Sequence, residues 1–408
     1  MTATTRSKRR QAGEGGISEY ATKAGQRYLI KYSHTRPDGS RGVVLKRGYL
    51  TKKEAATDLR QRLSSVDDHT HVVPAKMTTG EWLDQWLDGL QLAPSTMASY
   101  RKNVRLHLKP RIGAVPLQQL TGARISTAYR GMETDGRQDH RSGEGLSKRT
   151  VRYCHTILKA ALSDAVRQGL VVKNAAGDAK PPSVTAAKAP EMHPWSGAEL
   201  GAFLRWADDR AAEHRPAWHV LAYSGMRRGE LLALRWRDLD LEHSTLSVRR
   251  SVGVVQIEGK GKTIVEGPTK GKRARVVDLD AGTLDVLRAW RLARAGIALS
   301  LVRDDALIFG TLDATHQHPE RFSARFTEKQ AQCRRALAHA APPAIRLHDL
   351  RHTHATLLLR AGVPVKVVSE RLGHASVMIT LETYAHVMPG MQAEAAATFA
   401  ALMAGGAS

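Results

Sequence analysis

The 408-residue chain holds only two cysteines, Cys154 and Cys333, far apart in sequence. Two thiols can build neither a disulfide framework nor a four-ligand zinc site unaided, so both are expected to be inert thiols in a reducing compartment. No apolar run approaches the ~18 residues that a transmembrane helix needs. The opening MTATTRSKRRQAGEGG lacks the apolar stretch of a secretory leader, so neither secretion nor membrane spanning is expected. Acidic residues are also scarce: 39 Asp and Glu stand against 62 Lys and Arg, a net charge of +23. That excess predicts a polyanionic partner. A membrane surface would call for one basic amphipathic helix or a lipidation signal. Here the basic residues recur along the whole chain, which favours nucleic acid. At 42% hydrophobic and 25% charged the composition is that of folded domains rather than of a basic tail. The length predicts two or three of them.

Punctuation of the chain suggests where they lie. Strand-like runs at Ile17 to Lys23, Gln26 to His34 and Arg41 to Leu50 precede Thr51-Lys-Lys-Glu54, a capping-box start for a helix carrying Ala55, Ala56, Leu59 and Leu63. A small three-stranded sheet plus helix is expected over residues 1–70. It is preceded by a basic arm with Arg6, Lys8, Arg9 and Arg10, read either as a solvated tail or as a phosphate contact. Residues 76–175 read as an all-helical domain, with helices beginning at Thr79 and Ala93 and spanning Gly122 to Met132 and Ser147 to Gln168. Its cations, among them Arg101, Lys102, Arg105, Lys148, Arg149 and Arg152, have few balancing acids and suit a duplex-facing surface. Small residues and prolines over 176–190 read as an extended hinge. Residues 191–408 mix helices with strand-like runs at Thr245 to Val254, Lys262 to Val265 and Arg273 to Leu279. They lack the strand–helix alternation of a doubly wound sheet. The expected class is multidomain α+β: a sheet plus helix, a helical domain, then a mainly helical domain with a small antiparallel sheet.

Reactive residue types are densest at Leu347-His-Asp-Leu-Arg-His-Thr-His, where His348 and Arg351 sit three apart and share a helix face. A metal site of His348, His352 and His354 is disfavoured, because residues two apart on a helix point about 200° from one another. An oxyanion site fits better: Arg offers a planar fork of donors to phosphate, and His can also move a proton near neutral pH. A second guanidinium, Arg227, is flanked by glycine at the start of a helix with Leu231, Leu232 and Leu234. Gly259-Lys-Gly-Lys-Thr is not a P-loop, since Gln256 occupies the place of its first glycine.

Ser224-Gly-Met-Arg-Arg-Gly-Glu-Leu-Leu-Ala-Leu-Arg-Trp, His348-Asp-Leu-Arg-His-Thr, Leu372-Gly-His and Thr383-Tyr-Ala-His resemble, in order and spacing, the signature boxes of the tyrosine recombinase (phage integrase) family. The upstream regions resemble that family's arm-binding and core-binding domains more loosely, the former at Gly48 to Ala55. The resemblance implies a site-specific DNA recombinase, an integrase that cleaves and rejoins strands through a 3′-phosphotyrosine link without metal, ATP or other cofactor. It implies Arg227 and Arg351 on the scissile phosphate, His374 hydrogen-bonding it, His348 assisting proton transfer and Tyr384 as nucleophile. Glu230 resembles the acidic residue of the first box and would orient Arg227. Lys270 resembles the lysine that protonates the leaving 5′ oxygen, with Lys272 its rival. Ser224 stands where threonine is common. Implied partners are double-stranded DNA with core and arm attachment sites, three further protomers in a homotetramer, and DNA-bending or excision-directing accessory proteins; the implied compartment is the bacterial cytoplasm, on the nucleoid. A relaxing topoisomerase or resolvase using the same chemistry, a DNA-binding regulator and a nuclease are the alternatives.

Overall fold

Period-two burial in the first strands sets the first sheet. The computed structural model describes residues 15–35, 40–67, 76–137, 143–188, 192–210, 213–257, 261–269, 271, 274–385 and 391–405. Strands β1 (Gly16–Thr22), β2 (Gly25–Thr35) and β3 (Arg41–Tyr49) pair antiparallel in that order. Ile30, Tyr32 and Tyr49 turn one face toward Ala55 and Leu59 of helix α1 (Lys52–Asp67). Thr51 accepts from the Glu54 amide at 3.2 Å, while the Glu54 carboxylate reaches the Leu50 amide rather than that of Thr51. The opposite face keeps Val43 and Leu45 exposed beside Arg47. The basic arm at Arg6 to Arg10 lies outside the described residues.

Chain contacts divide the molecule into two units, Met1–Ala189 and Pro190–Ser408. The first holds this sheet and a helical body of α2 (Thr79–Asp88), α3 (Pro94–Asn103), α4 (Lys109–Ile112), α5 (Gly122–Asp135) and α6 (Lys148–Arg167), with a π-helical turn at Val104–Leu108. Trp82 and Trp86 on α2 bury their rings and donate to the Ala161 carbonyl and the Asp164 carboxylate of α6. The stretch read as an extended hinge starts differently. Ala175 and Ala176 are buried in the helical core, the Lys180 amide donates to Ser126 Oγ, and Arg152 reaches the Pro182 carbonyl. Alanine side chains this small let the backbone lie flat against the bundle.

The second unit packs α7 (Gly197–Asp209), α8 (Arg215–Ser224), the single-turn α9 (Arg228–Leu231), α10 (Ala281–Ile297), α11 (Pro319–Leu337), α12 (Asp349–Arg360), α13 (Val365–Leu372) and α14 (Val377–Tyr384), followed by α15 (Met391–Gly405). Its core centres on Trp195, Phe203, Trp218, Phe322 and Phe326. Strands β4 (Leu239–Asp240), β5 (Thr245–Val248) and β8 (Arg275–Asp278) form one antiparallel sheet; β6 (Arg250–Ile257) and β7 (Gly261–Pro268) form a separate hairpin. The single strand expected over 245–254 is therefore two, broken at Arg249. Beyond the break Arg250 is drawn to the buried Asp238 carboxylate, and the chain leaves one sheet for the other. Among the described residues no helix is long and apolar enough to cross a membrane.

Candidate active site

Two helices of the second unit end in left-handed glycines, and each delivers a polar side chain just beyond its turn. Helix α8 closes with the Ser224 hydroxyl donating back to the Val220 carbonyl and Gly225 at φ 64°. A Cβ on Gly225 would lie 2.6 Å from the His354 ring, so both the backbone angle and the close approach require glycine. Two residues later Arg227 opens the single turn of α9. Helix α13 ends the same way at Gly373, φ 68°, followed by His374. A Cβ there would lie 2.8 Å from the Arg275 guanidinium.

Arg351, buried on α12, joins the two turns. Its Nη1 donates to the carbonyls of Gly225 and Leu372, both at 2.7 Å. Its Nη2 is buried and has no hydrogen-bond acceptor among the described residues. Burial, then the neighbouring Arg227 charge, lower its pKa to about 9, which still leaves it cationic at neutral pH. Arg227 donates to Glu230 Oε1 at 2.8 Å and to the Gly373 carbonyl at 3.2 Å. The fully buried Glu230 carboxylate also accepts from Arg275 at 2.7 Å. Burial alone would raise this carboxyl, but the Arg275 hydrogen bond and charge, then Arg227, outweigh it and hold its pKa below the ordinary range. The cluster is thus cationic, with one carboxylate locked behind it.

Three imidazoles border the guanidinium pair. His348 precedes α12, and its ring meets that of His352 edge-on, with centroids 5.1 Å apart. His352 Nδ1 lies 2.7 Å from the hydroxyl of Tyr384, which is buried at the end of α14. His374 Nδ1 lies 2.8 Å from Thr380 Oγ1. Burial is the first cause lowering all three, followed by Arg351 for His348 and His374 and by His348 for His352; the last two fall to about 4. All three are neutral at pH 7. Burial also pushes the Tyr384 phenol up to about 12. An anion bound here would meet two guanidinium groups and neutral imidazoles that can donate or accept a proton.

The phage integrase family model matches residues 197–390, and the family's N-terminal SAM-like domain model matches residues 78–132. The chain belongs to the tyrosine recombinase (phage integrase) family. It is 27% identical to a XerC-like tyrosine recombinase of Caldanaerobacter subterraneus over 85% of this chain and 89% of that one. It is 24% identical to the integrase of Mycobacterium phage D29 over 85% and 87%. Its fold is shared with the integrase of transposon Tn1549, solved with a circular intermediate DNA, at TM-score 0.64 and 21% identity over 76% of this chain and 95% of that one. Lambda integrase, solved as a tetramer on a Holliday junction, gives 0.52 at 16% identity over 92% and 96%.

Within this integrase fold Arg227, His348, Arg351, His374 and Tyr384 lie in one cluster with Glu230, although up to 157 residues separate them in sequence. Lys270 and its rival Lys272, which fall in sequence between β7 and β8, lie outside the described residues. Two contacts were not anticipated. The imidazole on the Tyr384 hydroxyl is His352, whereas the resemblance implies His348 for proton transfer; four-residue spacing at the start of α12 puts both on one face. Arg275, which bridges Glu230 and the Arg371 carbonyl, carried no signal in the sequence beyond its place after the hairpin. His354, once weighed as a metal ligand, has its Nδ1 on the Ala222 carbonyl and its Nε2 accepting from Arg371.

Proposed function

We propose that Arg227 and Arg351 grip the non-bridging oxygens of a scissile DNA phosphate while Tyr384 attacks it, forming a 3′-phosphotyrosine link. The chain is a site-specific DNA recombinase of integrase type, acting in the integration or excision of a phage or other mobile element. The observation that carries the roles is Arg351. Burying a guanidinium with one nitrogen left without an acceptor costs several kcal/mol unless an anion completes it. A phosphate does so with the fork geometry that arginine matches.

Phosphoryl transfer spreads negative charge over the equatorial oxygens, and a water-excluding pocket of fixed donors lowers its energy. Arg227 and Arg351 supply two of these donors, and His374, whose Nδ1 is taken by Thr380, supplies a third through Nε2. His348 assists proton transfer around the phosphate. Lys270 protonates the departing 5′ oxygen, with Lys272 as its rival. The phosphodiester energy is stored in the tyrosine ester, so resealing to a new strand needs no ATP. Charge neutralisation by arginine lets the step run without a metal.

The first unit would hold the DNA. The helical body, matched by the SAM-like model, is assigned to the core site, and the open sheet face with Lys31, Arg41 and Arg47 to an arm site. Four protomers on two DNA sites, assisted by bending and excision-directing proteins, is the assembly this implies, working on the chromosome in the bacterial cytoplasm. The test is a suicide duplex carrying the cognate core site, incubated in chelator. A covalent protein–DNA adduct that Tyr384→Phe abolishes is expected. Absence of any adduct with the unaltered chain, or its persistence in Tyr384→Phe, overturns the reading.

A further inference from the structure

We propose that His354 and Arg371 are positioning residues for strand cleavage: as a hydrogen-bonded pair they set the last turn of α8 against the last turn of α13, so that Arg227 and His374 reach one phosphate. This rests on the reading above, in which both of those residues serve the scissile phosphate, and adds what aligns them.

Each side-chain nitrogen of Arg371 is engaged on a different element. Nε donates to His354 Nε2 on α12, Nη1 to the Asp278 carbonyl at the end of β8, and Nη2 to the Tyr223 carbonyl near the end of α8, each at 3.0 Å. His354 is buried behind these turns, and its Nδ1 lies 2.9 Å from the Ala222 carbonyl. The last carbonyls of a helix have no partner within it. At the end of α8 the Gly225 amide takes the Leu221 carbonyl, His354 takes that of Ala222 and Arg371 that of Tyr223. The helix is therefore closed from outside, by side chains of α12 and α13, just before the chain turns to Arg227.

The chemistry of the pair admits one arrangement. Arginine has no acceptor, so His354 Nε2 must offer the lone pair and Nδ1 must carry the hydrogen that the Ala222 carbonyl receives. That requires a neutral imidazole in a single tautomer. Burial, and then the Arg371 charge, supply the neutral form by lowering His354 to about 4. The acceptors of Arg371 are all uncharged, and one of them lies at the negative end of α8, where a cation is favoured.

The backbone of Arg371 is fixed as well, because its carbonyl accepts from Arg275. Two residues further on, the Gly373 carbonyl accepts from Arg227, and His374 follows. Sliding the end of α8 along α13 would therefore draw Arg227 and His374 apart. Misplacing a group that serves the transition state by about 1 Å costs about 10²-fold in rate.

Single-turnover cleavage of the suicide duplex at saturating protein tests this, beside gel-shift titration of the core site and thermal melting. His354→Phe keeps the ring but lacks both polar atoms; Arg371→Lys keeps the charge but cannot span three acceptors. Each should cleave about 10²-fold more slowly, with core-site affinity unchanged. His354→Gln, whose amide oxygen takes the place of Nε2, should recover most of the lost rate. Adding Arg371→Lys to His354→Phe should slow cleavage little further, because the first change has already opened the pair. An unaltered rate in either single variant overturns the proposal, as does a rate that falls only as DNA affinity falls. So does a Gln variant as slow as the Phe variant, which would leave ring packing as the whole contribution. Should His354→Phe fail to fold, the rates of Arg371→Lys and His354→Gln decide by the same criteria. Absence of an adduct with the unaltered chain would instead overturn the underlying reading of Arg227 and Tyr384.

Discussion

Arg275, on the strand that follows the hairpin, donates from Nη2 to the buried Glu230 carboxylate at 2.7 Å. Its Nε holds the Arg371 carbonyl at 3.0 Å, two residues before Gly373, whose own carbonyl accepts from Arg227. One side chain thus ties together the segments that hold the Arg227 guanidinium.

Arg275→Gln should therefore damage both chemistry and fold. Removing one partner of a buried ion pair costs about 3–5 kcal/mol, here moderated because Arg227 still pairs with Glu230. Adduct formation should fall roughly 10²-fold, as expected when a phosphate donor is mispositioned. Core-site DNA binding should change far less. Single-turnover cleavage beside a gel-shift titration checks this; equal losses in both would contradict it.

Acidification should destabilise the second unit well above the carboxylate range. Burial, and then the Arg371 charge, lower His354 from 6.5 to about 4, against the opposing Ala222 hydrogen bond. His352 and His374 fall equally far. A histidine with a depressed folded-state pKa is protonated first in the unfolded chain. Its contribution is therefore complete above pH 6.5 and is lost progressively down to about 4. A shift of that size is worth up to about 3 kcal/mol for one buried group. Glu230, also held low, adds its loss only below the ordinary glutamate range. Melting temperatures should decline steadily between pH 6.5 and 4.5; a flat curve there would contradict this.

Lys270→Ala should slow cleavage of an ordinary duplex and recover on one with a better 5′ leaving group, such as a bridging phosphorothioate, whose departure needs no proton. Lys272→Ala should cleave nearly normally. The reverse pattern would move the acid two residues along the chain.

Much of this was legible because local rules and global packing agree. Runs rich in Tyr, Ile, Val and Leu marked the first three strands to within about a residue of their ends, and the helical starts read at Thr79, Ala93, Gly122 and Ser147 lie within a residue of those observed. Arg227, Arg351, His374 and Tyr384 were recognisable as signature boxes. What escaped depends on distance in space rather than along the chain. Which imidazole meets the Tyr384 hydroxyl turns on how α14 lies against α12, and the role of Arg275 on a strand pairing that brings it to Glu230. The break at Arg249 escaped because the flanking residues are equally strand-forming; tertiary context alone splits them. The π-helical turn at Val104–Leu108 has no local composition that distinguishes it from α-helix.

The joint donation of Arg351 to Gly225 and Leu372 also makes one guanidinium nitrogen a crosslink between two turns 147 residues apart in sequence. Loosening either turn releases the other from the same nitrogen, so the polar residues just beyond them, Arg227 and His374, keep or lose their places together.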